Sequence, residues 1–79
     1  MGSMVRAFVM VKTAAGKSGA LLATMRGIEG VEEAHIVAGQ YDIIVEATGD
    51  EVYDVVHGVA TNLRDLDGAT DTTTYICLD

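Results

Sequence analysis

The feature that most constrains this chain is a repeat. Met25-Arg26-Gly27-Ile28-Glu29-Gly30-Val31 returns 38 positions later as Leu63-Arg64-Asp65-Leu66-Asp67-Gly68-Ala69, and the same offset sets Val5 against Ile43 and Ala7 against Val45. A chain of 79 residues has room for one core, so two units of this size must share it rather than fold apart. Gly39-Gln40-Tyr41-Asp42-Ile43-Ile44-Val45-Glu46 lies between them. A glycine opens onto an aromatic–acid pair, which runs straight into a β-branched apolar strand. It is expected to be the turn that joins the two halves.

Each half follows the same periodicities. Val5 to Val11 alternates and predicts a strand, broken by Thr13-Ala14-Ala15-Gly16. A helix is expected over roughly residues 17–26, with Ser18 a candidate cap and Leu21, Leu22 and Met25 as its buried stripe. Gly27 and Gly30 end it. Val31 to Val37 is a second strand and Tyr41 to Thr48 a third. After Gly49, Asp50 is a candidate N-cap for a second helix, whose stripe is Val52, Val55, Val56, Val59 and Leu63. Asp71 to Leu78 alternates again as a fourth strand. The order βαββαβ with an internal repeat predicts an α+β, ferredoxin-like fold. Right-handed crossovers then place both helices on one face of a four-stranded antiparallel sheet.

Two helices cover one side of such a sheet, yet the strands carry apolar groups on both. Phe8 and Met10 oppose Val9 and Val11, Ile44 opposes Ile43 and Val45, and Tyr75 and Cys77 oppose Ile76 and Leu78. An antiparallel sheet with one face in water shows a polar side there. A two-sided apolar sheet therefore predicts a second copy stacked face to face, a dimeric α/β-barrel type of assembly.

Composition narrows the function. Twelve acidic against five basic residues leave a formal charge of −7, which repels phosphate backbones and argues against direct nucleic-acid binding. The same acidity fits either an ordinary acidic domain or a salt-adapted, halophilic archaeal proteome. Apolar runs are too short for a membrane span, no signal-peptide pattern is present, and a single cysteine, Cys77, allows no internal disulfide, so a cytoplasmic setting is expected. Met1-Gly2-Ser3-Met4 has the look of an expression remnant, with the native start at Met4 and one domain over residues 5–79.

Little in the chain suggests catalysis. His35 and His57 lie on different elements without triad or metal-ligand spacing, so no catalytic residue, metal or cofactor is assigned. Gly16-Lys17-Ser18 imitates the end of a phosphate loop, but Val11 stands where its first glycine belongs. Gly39-Gln40-Tyr41-Asp42 is more informative. A glycine leaves backbone amides approachable, Tyr41 offers a ring and a hydroxyl, and Asp42 accepts from an ammonium group. An α-amino acid needs that set. The competing reading is a glycine turn whose aspartate satisfies local amides.

Gly39-x-Tyr41-Asp42 before an apolar strand, then a helix, Leu63-x-x-Leu66-x-Gly68 and a threonine-rich last strand resemble the effector-binding domain of the Lrp/AsnC (feast/famine) regulators. The likeness runs from Val5 to Leu78. It implies a domain that dimerises through its sheets, builds octamers, decamers or similar rings, and binds amino acids in clefts between dimers. By the resemblance, Gly39, Gln40, Tyr41 and Asp42 would line the cleft, with Thr72 and Thr74 as further candidates. Regulators of this family carry an N-terminal helix-turn-helix, whereas here the first strand begins at once. A stand-alone, non-enzymatic sensing module for an amino acid or related metabolite is therefore expected, acting through a full-length Lrp/AsnC partner. The alternatives are a dimeric α/β-barrel enzyme of monooxygenase type, an ACT-like domain with sheets paired side by side, or a purely structural oligomeriser.

Overall fold

The computed structural model describes residues 4–79; residues 1–3, most of the expected expression remnant, lie outside the described residues. The strands are β1 (Val5–Thr13), β2 (Val31–Ile36), β3 (Ile43–Gly49) and β4 (Ala69–Ile76). All neighbours are antiparallel, in the order β2-β3-β1-β4. Helix α1 (Ser18–Arg26) links β1 to β2, and a helical segment links β3 to β4. This is the ferredoxin-like βαββαβ arrangement.

The core forms where the two central strands meet the helices. Ala7, Val9 and Val11 of β1 and Ile43, Val45 and Ala47 of β3 alternate inward and are fully buried. Met25 from α1 and Leu63 from the second helix close over them, also without exposed surface. Each of the valine, isoleucine, leucine and methionine side chains among them contributes about 1.5–3 kcal/mol on burial. Both helices therefore lie on one sheet face.

The repeat survives in detail at the helix exits. Ile28 N–H donates to the Met25 carbonyl, as Leu66 N–H does to that of Leu63, and Val31 N–H donates to Ile28 as Ala69 does to Leu66. Gly30 and Gly68 both take a left-handed φ, of 96° and 100°. A residue with a Cβ pays steric strain in that conformation, so glycine is required at both turns.

Two expectations change. The offset of 38 holds from the helices to β2 and β4, but not in β1 and β3. Ala34 pairs with Val45 and Thr72 with Val11, so Val45, 34 positions on, is the true counterpart of Val11. The second half thus carries four extra residues, and they lie in its helix, which begins at Val52 and runs about a turn longer than α1. The second difference is in that helix. It is π-helical over Asp54–Ala60 before a terminal α-helical turn, α2 (Thr61–Arg64). Its buried residues Val55, Val59 and Leu63 step strictly by four, and Val52, expected on the stripe, is 49% exposed.

The expected caps also take other partners. The Ser18 hydroxyl bonds to Thr13 Oγ1 at 2.8 Å rather than capping α1. At the second helix it is Asp54, not Asp50, that reaches back, accepting from Glu51 N–H at 3.2 Å.

Candidate functional site

The turn between β2 and β3 is closed by two backbone bonds. Val37 N–H donates to the Asp42 carbonyl, and Asp42 N–H donates to the Val11 carbonyl, each at 2.9 Å. The second bond lays the turn against the end of β1. From there Tyr41 and Asp42 diverge.

Tyr41 crosses β1 on the sheet face away from the helices. Its hydroxyl meets Thr73 Oγ1 of β4 at 2.7 Å, and Lys12 Nζ lies 5.7 Å from its ring centroid, within cation–π range. Asp42 turns toward the loop before α1. Its Oδ2 accepts from Thr13 N–H at 2.8 Å and from the Thr13 hydroxyl at 3.3 Å. Thr13 in turn meets Ser18, so one carboxylate oxygen anchors a three-residue polar chain. Gly39 and Gln40 project into solvent. Gly39 is not left-handed, and a Cβ built on it would meet nothing within 4 Å, so the fold of one chain does not require glycine there.

Thr72 and Thr74 are elsewhere. The alternation of β4 sends them to the helix side, where they line a cleft of about 270 Å³ with Thr61 and Arg64. Within one chain, then, the turn and these threonines do not form a single cavity. Arg64 is the residue that sequence reasoning overlooked, and its repeat twin explains its interest. Arg26 clamps the edge of β2, donating from Nε and Nη2 to the Ala34 carbonyl at 3.2 and 2.8 Å. Arg64 makes no such bond to Thr72, the counterpart of Ala34. Its partner is Asp65 at 3.5 Å, with both side chains about two-thirds exposed. Beside three hydroxyls, its guanidinium keeps further donors for a second carboxylate.

The two histidines stay apart. His35 bonds Glu33 at 2.9 Å on the exposed edge strand, and His57 stacks on Tyr53. Among the described residues no group of three or more His, Cys, Asp and Glu side chains is placed to hold a metal. No helix of the described residues is long and apolar enough to cross a membrane.

The family model of the Lrp/AsnC ligand-binding domain matches residues 6–79, nearly the whole chain. The chain belongs to that family. Among solved structures it is similar to FFRP-DM1, with 31% identity over 94% of this chain and 99% of the other and a TM-score of 0.87. A hypothetical protein, PHS023, from Pyrococcus horikoshii is similar at 31% identity, 94% and 89% coverage and a TM-score of 0.85. The transcriptional regulator NMB0573 from Neisseria meningitidis, solved as a complex with L-Met, shares the fold. It has 21% identity and a TM-score of 0.80, and the match covers 95% of this chain but 50% of the regulator. No curated protein matches this chain.

Proposed function

We propose that this Lrp/AsnC domain is a non-enzymatic sensing and oligomerisation module for an amino acid or related metabolite, acting on transcription through a partner regulator in the cytoplasm. The observation that carries this reading is the fixed turn at Gly39–Asp42. Tyr41 and Asp42 are each tied to a distant strand, so the turn is held rigid while the backbone at Gly39 and Gln40 stays open. Preorganised backbone of that kind binds without an ordering cost. The family match and the L-Met complex of the Neisseria regulator support the ligand class.

The same reading assigns the recognition groups. Amides of the turn and the Arg64 guanidinium, with the hydroxyls of Thr72 and Thr74 beside it, are the hydrogen-bond donors available to the carboxylate of an amino acid. Because turn and threonine cleft face different ways, both serve one ligand only if different copies of the chain contribute them. The far sheet face supplies the means of assembly. Phe8, Met10 and Ile44 are only half-buried there and Tyr75 is 57% exposed, an apolar stripe suited to a second copy stacked sheet to sheet. Higher rings, octamer or decamer, then bring turns and clefts of neighbouring dimers together. The charge of −7 leaves DNA contact to the partner regulator.

One specific observation favours the purely structural alternative: Asp42 already holds Thr13, which is the work of a turn residue. Isothermal titration against the twenty amino acids separates the two. The sensing reading expects saturable binding by at least one, weakened about tenfold or more by Arg64→Ala, the size of a lost charge-assisted hydrogen bond. Binding by none of them to the folded protein would leave the structural oligomeriser.

A further inference from the structure

A further cleft among the described residues lies neither at the turn nor at the threonines. It has a volume of about 630 Å³ and lies where β3 hands over to the π-helical segment. Gly30, Gly49 and Gly58 contribute its backbone surface, and Tyr53 and His57 stand along one side with ring centroids 4.5 Å apart. Tyr53 is 69% exposed, so one face of its ring is open. Glu29, Asp50 and Asp54 are the charged groups at the rim, and no lysine or arginine lines the cleft.

The cleft exists because the halves differ. The second helix begins at Val52 and runs about a turn longer at its N-terminus than α1, and with the wide turn at Asp54–Ala60 this builds a step beside β3. A π-helical turn is less favourable than an α-helical one and is retained most often where a site needs it. Acidic side chains by themselves would be only a solvated rim. The aromatic wall and a volume in the range of small-molecule sites make this a pocket.

We infer that this cleft binds an organic cation, a small molecule bearing a guanidinium or alkylammonium group, at a site distinct from the Gly39–Asp42 turn. The planar or methylene part of such a ligand lies over the open face of Tyr53, where the ring quadrupole attracts positive charge. Its charged ends reach Asp50 and Asp54 on one side and Glu29 on the other. Asp54 uses Oδ2 to cap Glu51 N–H and keeps Oδ1 for the ligand. A ligand held between Glu29 at the exit of the first helix and Asp54 on the second bridges the two halves of the repeat.

Agmatine is a suitable probe, because it carries a guanidinium and an ammonium but no carboxylate and so lacks what an amino-acid site at the turn would grip. Titrated into the isotope-labelled protein at low salt, it should produce saturable amide shifts at residues 29–30 and 48–62. Tyr53→Leu should weaken binding roughly threefold to fivefold, the scale of an exposed cation–π contact. Asp50→Asn with Asp54→Asn should weaken it about tenfold, the scale of two partly screened charge pairs. Asparagine retains the cap on Glu51, and unchanged core amide signals would show an intact fold. Shifts centred on Gly39–Asp42, shifts that grow linearly across the acidic surface, or equal affinity in the double variant would each overturn the assignment. The outcome is independent of whether any amino acid binds at the turn.

Discussion

Arg26 and Arg64 occupy the same place in the two halves of one repeat and do opposite things. Arg26 donates from Nε and Nη2 to the Ala34 carbonyl and so clamps the outer edge of β2 at that point. Arg64 leaves the corresponding edge of β4 open and faces a cleft with Thr72 and Thr74. The same division recurs at the strand-to-helix joints. The first half crosses from Thr13 to α1 by a short loop tied down by Asp42 and Ser18. The second crosses from Gly49 by a loop no longer than that, into a longer helix with a π-helical segment, and opens the cleft beside Tyr53. Both outer strands carry a cleft of about 270 Å³, beside Arg26 in the first half and beside Arg64 in the second, so the halves differ in how the arginine is tied and in the cleft beside Tyr53. Symmetry in the core and asymmetry at the rim allow one fold to be stable and still offer sites.

The core half of that comparison is the easiest to break. Met25 and Leu63 are twins, each fully buried over the central strands. Met25→Ala and Leu63→Ala should each cost about 2–5 kcal/mol, a large fraction of what a domain of this size has. Urea titration measures both. Equal losses would show that the π-helical segment grips the sheet as firmly as α1. A loss at Leu63 below about half that at Met25 would show that the wide turn collapses into the space.

Smaller effects are expected at the two left-handed glycines. A Cβ on Gly30 would lie 2.5 Å from Val59 Cγ2 and 3.3 Å from the Thr48 carbonyl, whereas on Gly68 the nearest atom is Leu21 Cδ1 at 3.2 Å. Backbone strain alone costs about 1–2 kcal/mol at either site. Gly68→Ala should show little more than that, because a leucine methyl moves easily. Gly30→Ala should cost roughly a further 1 kcal/mol, since Val59 is stiff at χ1 and packed in the wide turn. Equal midpoints in urea for the two variants would mean that the second helix is as free to adjust as the first.

What the sequence disclosed depended on the distance over which each signal acts. Strand alternation, the helical stripe of α1, the glycine stops and the order βαββαβ are local or periodic, and all were legible. So was the family, because its motif and spacing survive along the whole chain. The partners of Tyr41 and Asp42, Thr73 and Thr13, are 32 and 29 positions away, and no local spacing predicts them. The capping errors have a similar origin. Ser18 and Asp50 have suitable side chains, but Thr13 engaged the first and Asp54 took the backbone N–H near the second. The π-helical turn left little trace: the stripe Val52, Val55, Val56, Val59 and Leu63 mixes threes and fours as an α-helical one does, and only burial in the fold singles out Val55, Val59 and Leu63. The 34-residue strand register left none, since Val5, Ala7, Ile43 and Val45 are interchangeable as types.

The smallest expected effect tests why the second helix is wide. Gly19 in α1 and Gly58 in the π-helical segment both have open space where a Cβ would go. In an ordinary helix, replacing such a glycine with alanine stabilises by about 0.5–1 kcal/mol, because the unfolded chain loses freedom and the helix gains propensity. Gly19→Ala should show that gain. If packing of Val55, Val59 and Leu63 holds the wide turn, Gly58→Ala should show the same gain and leave the cleft beside Tyr53 intact. If glycine's freedom is what permits the wide turn, Gly58→Ala should gain nothing, or lose a few tenths of a kcal/mol. The agmatine response would then fall with it. Thermal midpoints of the two variants, read together with that titration, decide whether the asymmetry of the repeat lies in its packing or in one residue.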